Sequence, residues 1–296
     1  MNALESPDLS PAIPIFLRRL HADSTRRAYH REIERWLAWL ETNAPLDDEV
    51  LPRYVEALRA RKLSPTFIAW RATVIISFLR DAHRQGVIDR DVTAGYIPPR
   101  GTTGSAVRVL SSDELRRLLR VPDRRSWSGK RDLAALVCLG IGGMRAGEVC
   151  SLRMGDVEVG VGRVTLRVLG KGGRLRAVAF EGRNALPLRA WSNLRGEDDA
   201  GAAFLLARRG VAGVAPRGLR VSGVDYIVRK AGRAAGLDGL HAHLLRHSAA
   251  TLAIKGGAAL HEVRDWLGHA SVATTSRYLH ASGADAPVTS HIGKML

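Results

Sequence analysis

A short segment without hydrophobic periodicity divides the chain, and this division limits the fold more than any other sequence feature. Residues 97–107 read IPPRGTTGSAV, where proline, glycine, serine and threonine replace the apolar pattern. Such a composition is typical of a linker between domains. The chain has 296 residues, enough for two hydrophobic cores. We therefore predict an N-terminal domain over residues 1–100, a linker over 101–107 and a C-terminal domain over 108–296.

The sequence before the linker has the periodicity of amphipathic helices. Asp23 or Ser24 can cap a first helix, in which apolar residues recur at spacings of three and four. These residues are Tyr29, Ile33, Trp36, Leu37 and Leu40. A second helix is predicted over 49–61, and a third begins with Ser64 as its cap and Pro65 in its first turn. We expect the N-terminal domain to be entirely helical.

The sequence after the linker combines helices with one region of strand periodicity. Ser111 and Glu114 fit a capping box, which predicts a new helix at the start of this domain. From residue 157 the apolar period changes to two, and GKGG then turns the chain into RLRAVAF. This pattern predicts a β-hairpin with Lys171 at its tip. Helical patterns return afterwards, with Ser222 as the candidate cap of the first. The predicted fold is mainly α with a small β-sheet.

Positive charge is concentrated in the C-terminal domain. The formal net charge of the chain is +16. Residues 1–107 carry 15 basic and 13 acidic side chains, so that residues 108–296 hold the remaining 30 basic and 16 acidic ones. A surface this basic attracts polyanions, and it releases counterions when it neutralises phosphates. We therefore expect the partner of this protein to be nucleic acid.

Several classes of protein are not expected from this sequence. Cys138 and Cys150 have the spacing of neither a disulfide framework nor a metal site. The longest apolar stretch, around 132–144, is too short to span a bilayer, and MNALESPDLS lacks the features of a secretion signal. HEVRD at His261 is not a zinc motif, and GKGG is not a phosphate-binding P-loop. We expect a cytoplasmic protein that uses no metal and no cofactor.

Two polar clusters in the C-terminal domain contain side chains suited to phosphoryl transfer. In GGMRAGEV, Arg145 and Glu148 are three residues apart, so on one helix face the carboxylate can orient the guanidinium. In HAHLLRHS, His243 and Arg246 have the same spacing. Both can donate hydrogen bonds to the negatively charged oxygens of a phosphoryl transition state. Taken alone, each cluster also fits a surface ion pair or a structural histidine.

A third cluster, WLGHASVATTSRYLH, contains His269 nine residues before Tyr278. A tyrosine on an amphipathic helix is usually a core residue, but the order of the polar residues indicates otherwise. In that order the C-terminal domain resembles the tyrosine recombinase (phage integrase) family: Arg145, Glu148, Lys171, His243, Arg246, His269 and Tyr278. The sequence from HLLRHSAAT to LGHASVATTSRY is similar to the Xer-type bacterial members. The helical residues before the linker resemble, more loosely, the SAM-like core-binding domain of the same family.

The resemblance implies a covalent mechanism at Tyr278. This residue would attack the scissile phosphate, forming a 3'-phosphotyrosine and releasing a 5'-hydroxyl, while Lys171 would protonate the leaving 5'-oxygen. The residue types fit these roles. A phenol with a pKa near 10 needs a basic site to act as a nucleophile near neutrality, and an alkoxide leaving group needs a general acid. Because the phosphotyrosine conserves the bond energy, strand rejoining needs no ATP.

The resemblance also assigns the remaining polar residues of the site. Arg145 and Arg246 would bind the non-bridging oxygens of the phosphate. His243 and His269 would donate hydrogen bonds and help to manage protons. Glu148 would be a supporting residue next to the arginines.

The family further implies site-specific recombination of double-stranded DNA. Two duplexes with inverted-repeat sites would be synapsed by a tetramer, through a Holliday junction, and the tetramer would contain either this chain alone or a second related recombinase. The residues after Tyr278 either pack against a neighbouring protomer or fray. Two alternatives stay open at this point: strand relaxation like that of a type IB topoisomerase, and a DNA-binding regulator that has the fold without cleavage.

Overall fold

The computed structural model describes residues 7–43, 45–101, 108–170, 173–196, 199–208 and 217–268, together with 288, 289 and 292. The chain divides into two compact units, Met1–Val107 and Arg108–Leu296, called here the first and second units. Within the described ranges, every helix is too short or too polar to cross a membrane.

The described residues of the first unit form helices and no strand, as predicted. Its elements are α1 (Ala12–Arg18), α2 (Asp23–Asn43), α3 (Val50–Ala60) and α4 (Pro65–Arg84). The side chain of Ser64 caps α4 by accepting a hydrogen bond from the backbone nitrogen of Phe67, at 3.3 Å. The predicted apolar stripe of α2 faces the core, where Ile33 and Trp36 are fully buried. The pattern did not predict α1, because seven residues are too few to show a period.

A buried carboxylate connects three helices of the first unit. Glu32 of α2 is almost completely inaccessible to solvent. It accepts hydrogen bonds from the hydroxyl of Tyr54 on α3, at 2.8 Å, and from the guanidinium of Arg71 on α4. Burial of a charged group is tolerated only when it is paired and hydrogen-bonded, as here. The polar contact therefore fixes the register of the three helices relative to one another.

The second unit combines helices with a small sheet, which confirms the predicted fold class. The α-helices in its described residues are α5 (Ser112–Arg120), α6 (Trp127–Gly140), α7 (Ala146–Ser151), α8 (Leu186–Arg195), α9 (Val221–Ala234), α10 (Ala242–Lys255) and α11 (Leu260–Leu267). Its strands are β1 (Val157–Gly160), β2 (Arg163–Leu169) and β3 (Leu175–Glu181), in the antiparallel order β1-β2-β3. The predicted hairpin is the pair β2–β3, and β1 adds a third strand that the sequence pattern did not predict.

The sheet packs one face against the core of the second unit. On β2 the side chains of Val164, Leu166 and Val168 are buried, as the period of two predicted. In the pairing of β2 with β3, Val168 lies opposite Arg176, and Leu169 lies opposite Leu175 at the end of the ladder. Lys171, predicted at the tip of the hairpin, lies outside the described residues.

Helix termini in the second unit agree with the sequence at one position and differ at another. Ser111 and Glu114 form the predicted capping box, with reciprocal hydrogen bonds of 3.1 and 2.8 Å. The prediction of Ser222 as the cap of α9 is wrong. Arg220 is the extended residue before α9, and its carbonyl accepts the first hydrogen bonds of the helix, so that Ser222 lies inside the first turn.

Candidate active site

Glu148 and Arg145 lie at the beginning of α7. Arg145 precedes the helix in an extended conformation, with φ −75° and ψ 149°. The carboxylate of Glu148, in the first turn, accepts the backbone N–H of Arg145 at 2.8 Å and its Nη1 at 2.7 Å. The two residues are thus paired as predicted, but they do not share a helix face. Glu148 instead reaches back over the helix terminus, where backbone N–H groups lack partners within the helix.

The carboxylate of Glu148 is surrounded by three guanidinium groups. Besides Arg145, Arg176 of β3 donates to both oxygens, at 2.7 and 3.1 Å. Nη1 of Arg246 lies 3.7 Å from Oε2. Burial alone would raise the pKa of Glu148, but the hydrogen bonds from Arg176 and from the backbone of Arg145 outweigh it and hold the pKa below its usual range. Glu148 is therefore ionised at neutral pH.

Arg246 is fixed inside the second unit by two backbone carbonyl groups. Its Nη1 donates to the oxygen of Gly143 at 2.6 Å, and its Nη2 donates to the oxygen of Leu267 at 2.7 Å. Gly143 has a φ of +60°, and a Cβ atom at this residue would lie 2.7 Å from the ring of Trp266. Arg246 thus connects α10 with the turn before Arg145 and with the end of α11.

Arg176 belongs to this cluster but was not among the predicted site residues. Besides its two bonds to Glu148, its Nε donates to the carbonyl oxygen of Trp266 at 2.8 Å. A signal was present in the sequence, because strand periodicity puts Arg176 on the same face as the buried Val178 and Phe180. An arginine on the buried face of a strand indicates a buried acidic partner.

The members of the cluster differ in their exposure. About a third of the Arg145 side chain is exposed, at 35%, compared with 11% for Arg176, 6% for Glu148 and 3% for Arg246. Three guanidinium groups and one carboxylate leave an excess of two positive charges. Because Arg145 is the most exposed of these cations, it is the one most accessible to an approaching anion.

The other predicted site residues are placed only in part. His243 lies in the first turn of α10, one helical turn before Arg246, and its side chain is exposed. Lys171, His269 and Tyr278 lie outside the described residues. Among the residues that the structure describes, no three His, Cys, Asp or Glu side chains are grouped so that they could hold a metal ion.

Comparison with known proteins relates the chain to DNA recombinases. Residues 108–284 match the phage integrase family. The chain is 32% identical over 285 residues to tyrosine recombinase XerD of Bifidobacterium longum (strain NCC 2705), an alignment that covers 91% of each chain. It is also 32% identical over 282 residues to tyrosine recombinase XerC of Mycobacterium sp. (strain JLS), covering 90% of this chain and 91% of the relative.

Solved structures share the fold. A λ integrase tetramer bound to a Holliday junction is similar with a TM-score of 0.68 and 19% identity, covering 94% of this chain and 78% of that one. The XerH site-specific recombinase bound to a palindromic difH substrate has a TM-score of 0.63 and 22% identity, covering 79% of this chain and 69% of that one. The family match spans more than half of the chain, and the relatives exceed 30% identity over nine tenths of it. As its sequence motifs predicted, the chain therefore belongs to the phage integrase family of tyrosine recombinases, which are DNA strand breaking and rejoining enzymes.

Proposed function

We propose that this chain is an Xer-type site-specific recombinase that cleaves and rejoins DNA through a phosphotyrosine intermediate. One observation carries the proposal: Arg145 and Arg246 come from separate elements and lie around the same buried carboxylate, that of Glu148. A surface ion pair would need neither the burial nor the additional arginine. A cluster with excess positive charge and an accessible guanidinium suits a phosphodiester, whose non-bridging oxygens accept such donors.

The covalent step begins with the phenolic oxygen of Tyr278. This oxygen attacks the scissile phosphorus, the bond from phosphorus to the 5'-oxygen breaks, and a 3'-phosphotyrosine forms. Lys171 gives a proton to the departing 5'-oxygen, and a histidine of the site, His243 or His269, accepts the phenolic proton. Attack by the 5'-hydroxyl of another strand then reverses the step and restores free Tyr278.

Charge stabilisation in this reaction is assigned to the arginines. Negative charge on the non-bridging oxygens increases in the transition state, and donors already fixed in position stabilise it without reorganisation. Arg145 and Arg246 supply these donors, and Glu148 holds the guanidinium of Arg145 in place. Loss of one such donor typically reduces the rate by about 10²–10³-fold.

The complete reaction requires an assembly on double-stranded DNA. In this proposal residues 1–100 form a SAM-like core-binding domain, residues 101–107 form the linker, and residues 108–296 form the catalytic domain, which carries most of the positive charge. A tetramer, either of this chain alone or with a second related recombinase, synapses two duplexes with inverted-repeat sites in the cytoplasm. Support comes from the shared fold, which in λ integrase occurs as a tetramer bound to a Holliday junction.

The experiment is a search for the covalent adduct. Purified protein is incubated with tiled, labelled duplexes that cover the chain's own locus, each tested intact and with a nick that traps the cleaved strand. We expect an adduct that resists denaturant, disappears in Tyr278→Phe and persists in Tyr226→Phe, a control on the exposed surface of α9.

The remaining outcomes separate the alternatives. An adduct that survives Tyr278→Phe contradicts the assignment of the nucleophile. Relaxation of supercoiled plasmids that lack inverted repeats would indicate a topoisomerase-like activity instead. Binding of a duplex without any cleavage would indicate a DNA-binding regulator.

A further inference from the structure

Arg176 uses three nitrogen atoms of one guanidinium to join two parts of the second unit. Nη1 and Nη2 bind the carboxylate of Glu148, at 3.1 and 2.7 Å, and Nε binds the carbonyl oxygen of Trp266 at 2.8 Å. The side chain is 11% exposed, so it has little contact with solvent. Bidentate bonding of this kind fixes both the distance and the orientation of the carboxylate.

The orientation of Glu148 matters because the same carboxylate binds Arg145. Oxygen Oε1 lies between Nη1 of Arg145 and Nη1 of Arg176, and Oε2 accepts from the backbone of Arg145 and from Nη2 of Arg176. Without Arg176, the ion-pair partners of Glu148 among the described residues would be Arg145 and the more distant Arg246. The excess positive charge of the cluster would then fall from two to one.

We propose that Arg176 is a positioning residue for strand cleavage. It holds Glu148 and neutralises its charge, so that the guanidinium of Arg145 stays oriented and available to the scissile phosphate. This inference rests on the proposed function, in which Arg145 binds a non-bridging oxygen, and it adds a residue of β3 to the residues that determine the rate.

The bond from Arg176 to Trp266 extends this role to the end of α11. Gly268 ends the helix in the left-handed conformation, with φ +65°, and a Cβ atom there would lie 3.2 Å from Nη1 of Arg176. A single guanidinium therefore packs against the residue that directly precedes His269 in the sequence. The contact makes the end of α11 and the position of Glu148 depend on each other.

The test compares two DNA substrates that differ in charge at one phosphate. Nicked duplexes that give the adduct with wild-type protein are prepared with the natural scissile phosphate and with a methylphosphonate in its place. Replacing a non-bridging oxygen by a methyl group removes the negative charge, and with it the need for a correctly placed guanidinium. Arg176→Gln is compared with Arg163→Gln, a control in β2 whose exposed side chain pairs with exposed Glu181.

On the natural phosphate, we expect Arg176→Gln to form the adduct about tenfold more slowly than wild type, which is less than the loss for direct removal of an anion donor. On the methylphosphonate, the difference should shrink to within about threefold, while Arg163→Gln stays close to wild type on both. A defect of equal size on both substrates means a structural role and overturns the inference. A wild-type rate of Arg176→Gln on the natural phosphate also overturns the inference.

A third substrate separates an effect on Arg145 from an effect on the general acid. A 5'-bridging sulfur leaves without protonation, so this substrate should restore Lys171→Ala but not Arg176→Gln. Recovery of Arg176→Gln on it would overturn the inference.

Should Arg176→Gln fail to fold, judged by thermal unfolding, Arg176→Lys is put through the same comparison. If wild-type protein forms no adduct on any duplex, the proposed function fails first, which distinguishes the two failures.

Discussion

Glu148 and Arg145 are joined twice across the first turn of α7, by a backbone hydrogen bond of 2.8 Å and a side-chain ion pair of 2.7 Å. One carboxylate thus satisfies the end of a helix and orients a guanidinium group that is partly exposed. The local fold and the proposed chemistry therefore depend on the same side chain, and a change at Glu148 should affect both.

Replacing Glu148 by glutamine should lower the free energy of unfolding by about 3 kcal/mol. The substitution leaves Arg176 and Arg246 buried without a counter-charge, and breaking a buried ion pair from one side typically costs about 3–5 kcal/mol. The measurement is urea-induced unfolding at pH 7. Glu181→Gln, which removes a carboxylate from an exposed pair with Arg163, should stay within about 0.5 kcal/mol of wild type. Equal effects of the two substitutions would contradict the prediction.

The stability difference between wild type and Glu148→Gln should depend on pH. The pKa of Glu148 is lowered in the folded protein, so its contribution is fully present above the pKa of an unfolded glutamate, about 4.3. This contribution is lost as the pH falls through the lower pKa of the folded state. The urea midpoints of wild type and Glu148→Gln, measured from pH 7 downwards, should therefore converge below about pH 4. A constant difference over that range would show that the ionised carboxylate is not the stabilising species.

Gly143→Ala should destabilise the second unit and abolish adduct formation. Its φ of +60° disfavours alanine, and the added Cβ would lie 2.7 Å from the ring of Trp266 and 2.9 Å from Leu267. Overpacking of this kind costs about 1–3 kcal/mol, and the carbonyl that fixes Arg246 would also move. Gly147→Ala is the matched control, because nothing lies near its Cβ position in α7 and alanine favours a helix. Thermal unfolding of both variants provides the comparison.

Arg246→Lys should reduce adduct formation by about 100-fold or more, although the positive charge is retained. The planar guanidinium holds two carbonyl groups, those of Gly143 and Leu267, in a fixed fork that a single ammonium does not reproduce. Binding to the duplex, measured by electrophoretic mobility, should change by less than about threefold, because charge dominates affinity. The same substitution at the exposed Arg229 of α9 should leave both quantities unchanged. A matching loss at the two positions would contradict this argument.

The sequence predicted those helices and strands whose positions depend mainly on neighbouring residues. Ser64 and Pro65 mark the start of α4, and the buried alternation on β2 marks the sheet. The pattern did not predict β1, whose four residues have only Val157 partly buried. Strand β1 is recognisable only from its pairing with β2, which is a tertiary relationship.

The candidate site could be predicted only in part, because some of its contacts are also tertiary. Residue types and their order indicated Arg145, Glu148 and Arg246, and the structure brings these three together. The spacing did not show that Arg145 precedes α7, because a three-residue separation fits a helix face as well as a helix terminus. The contact of Arg176 with Glu148 spans 28 residues of sequence. Strand periodicity indicates that Arg176 faces the core, but no local pattern identifies Glu148 as its partner.

The ladder between β2 and β3 has a consequence for changes in chain length. Burial of Val178 and Phe180 fixes which residues of β3 point inwards, and Arg176 belongs to that set. Deleting Ala177 would turn Leu175 inwards and expose the guanidinium of Arg176, unless Val178 and Phe180 left the core as well. We therefore expect insertions and deletions within β3 to displace Arg176 from Glu148. The packing of Val178 and Phe180 thus stabilises the second unit and also fixes the position of the Arg176 guanidinium.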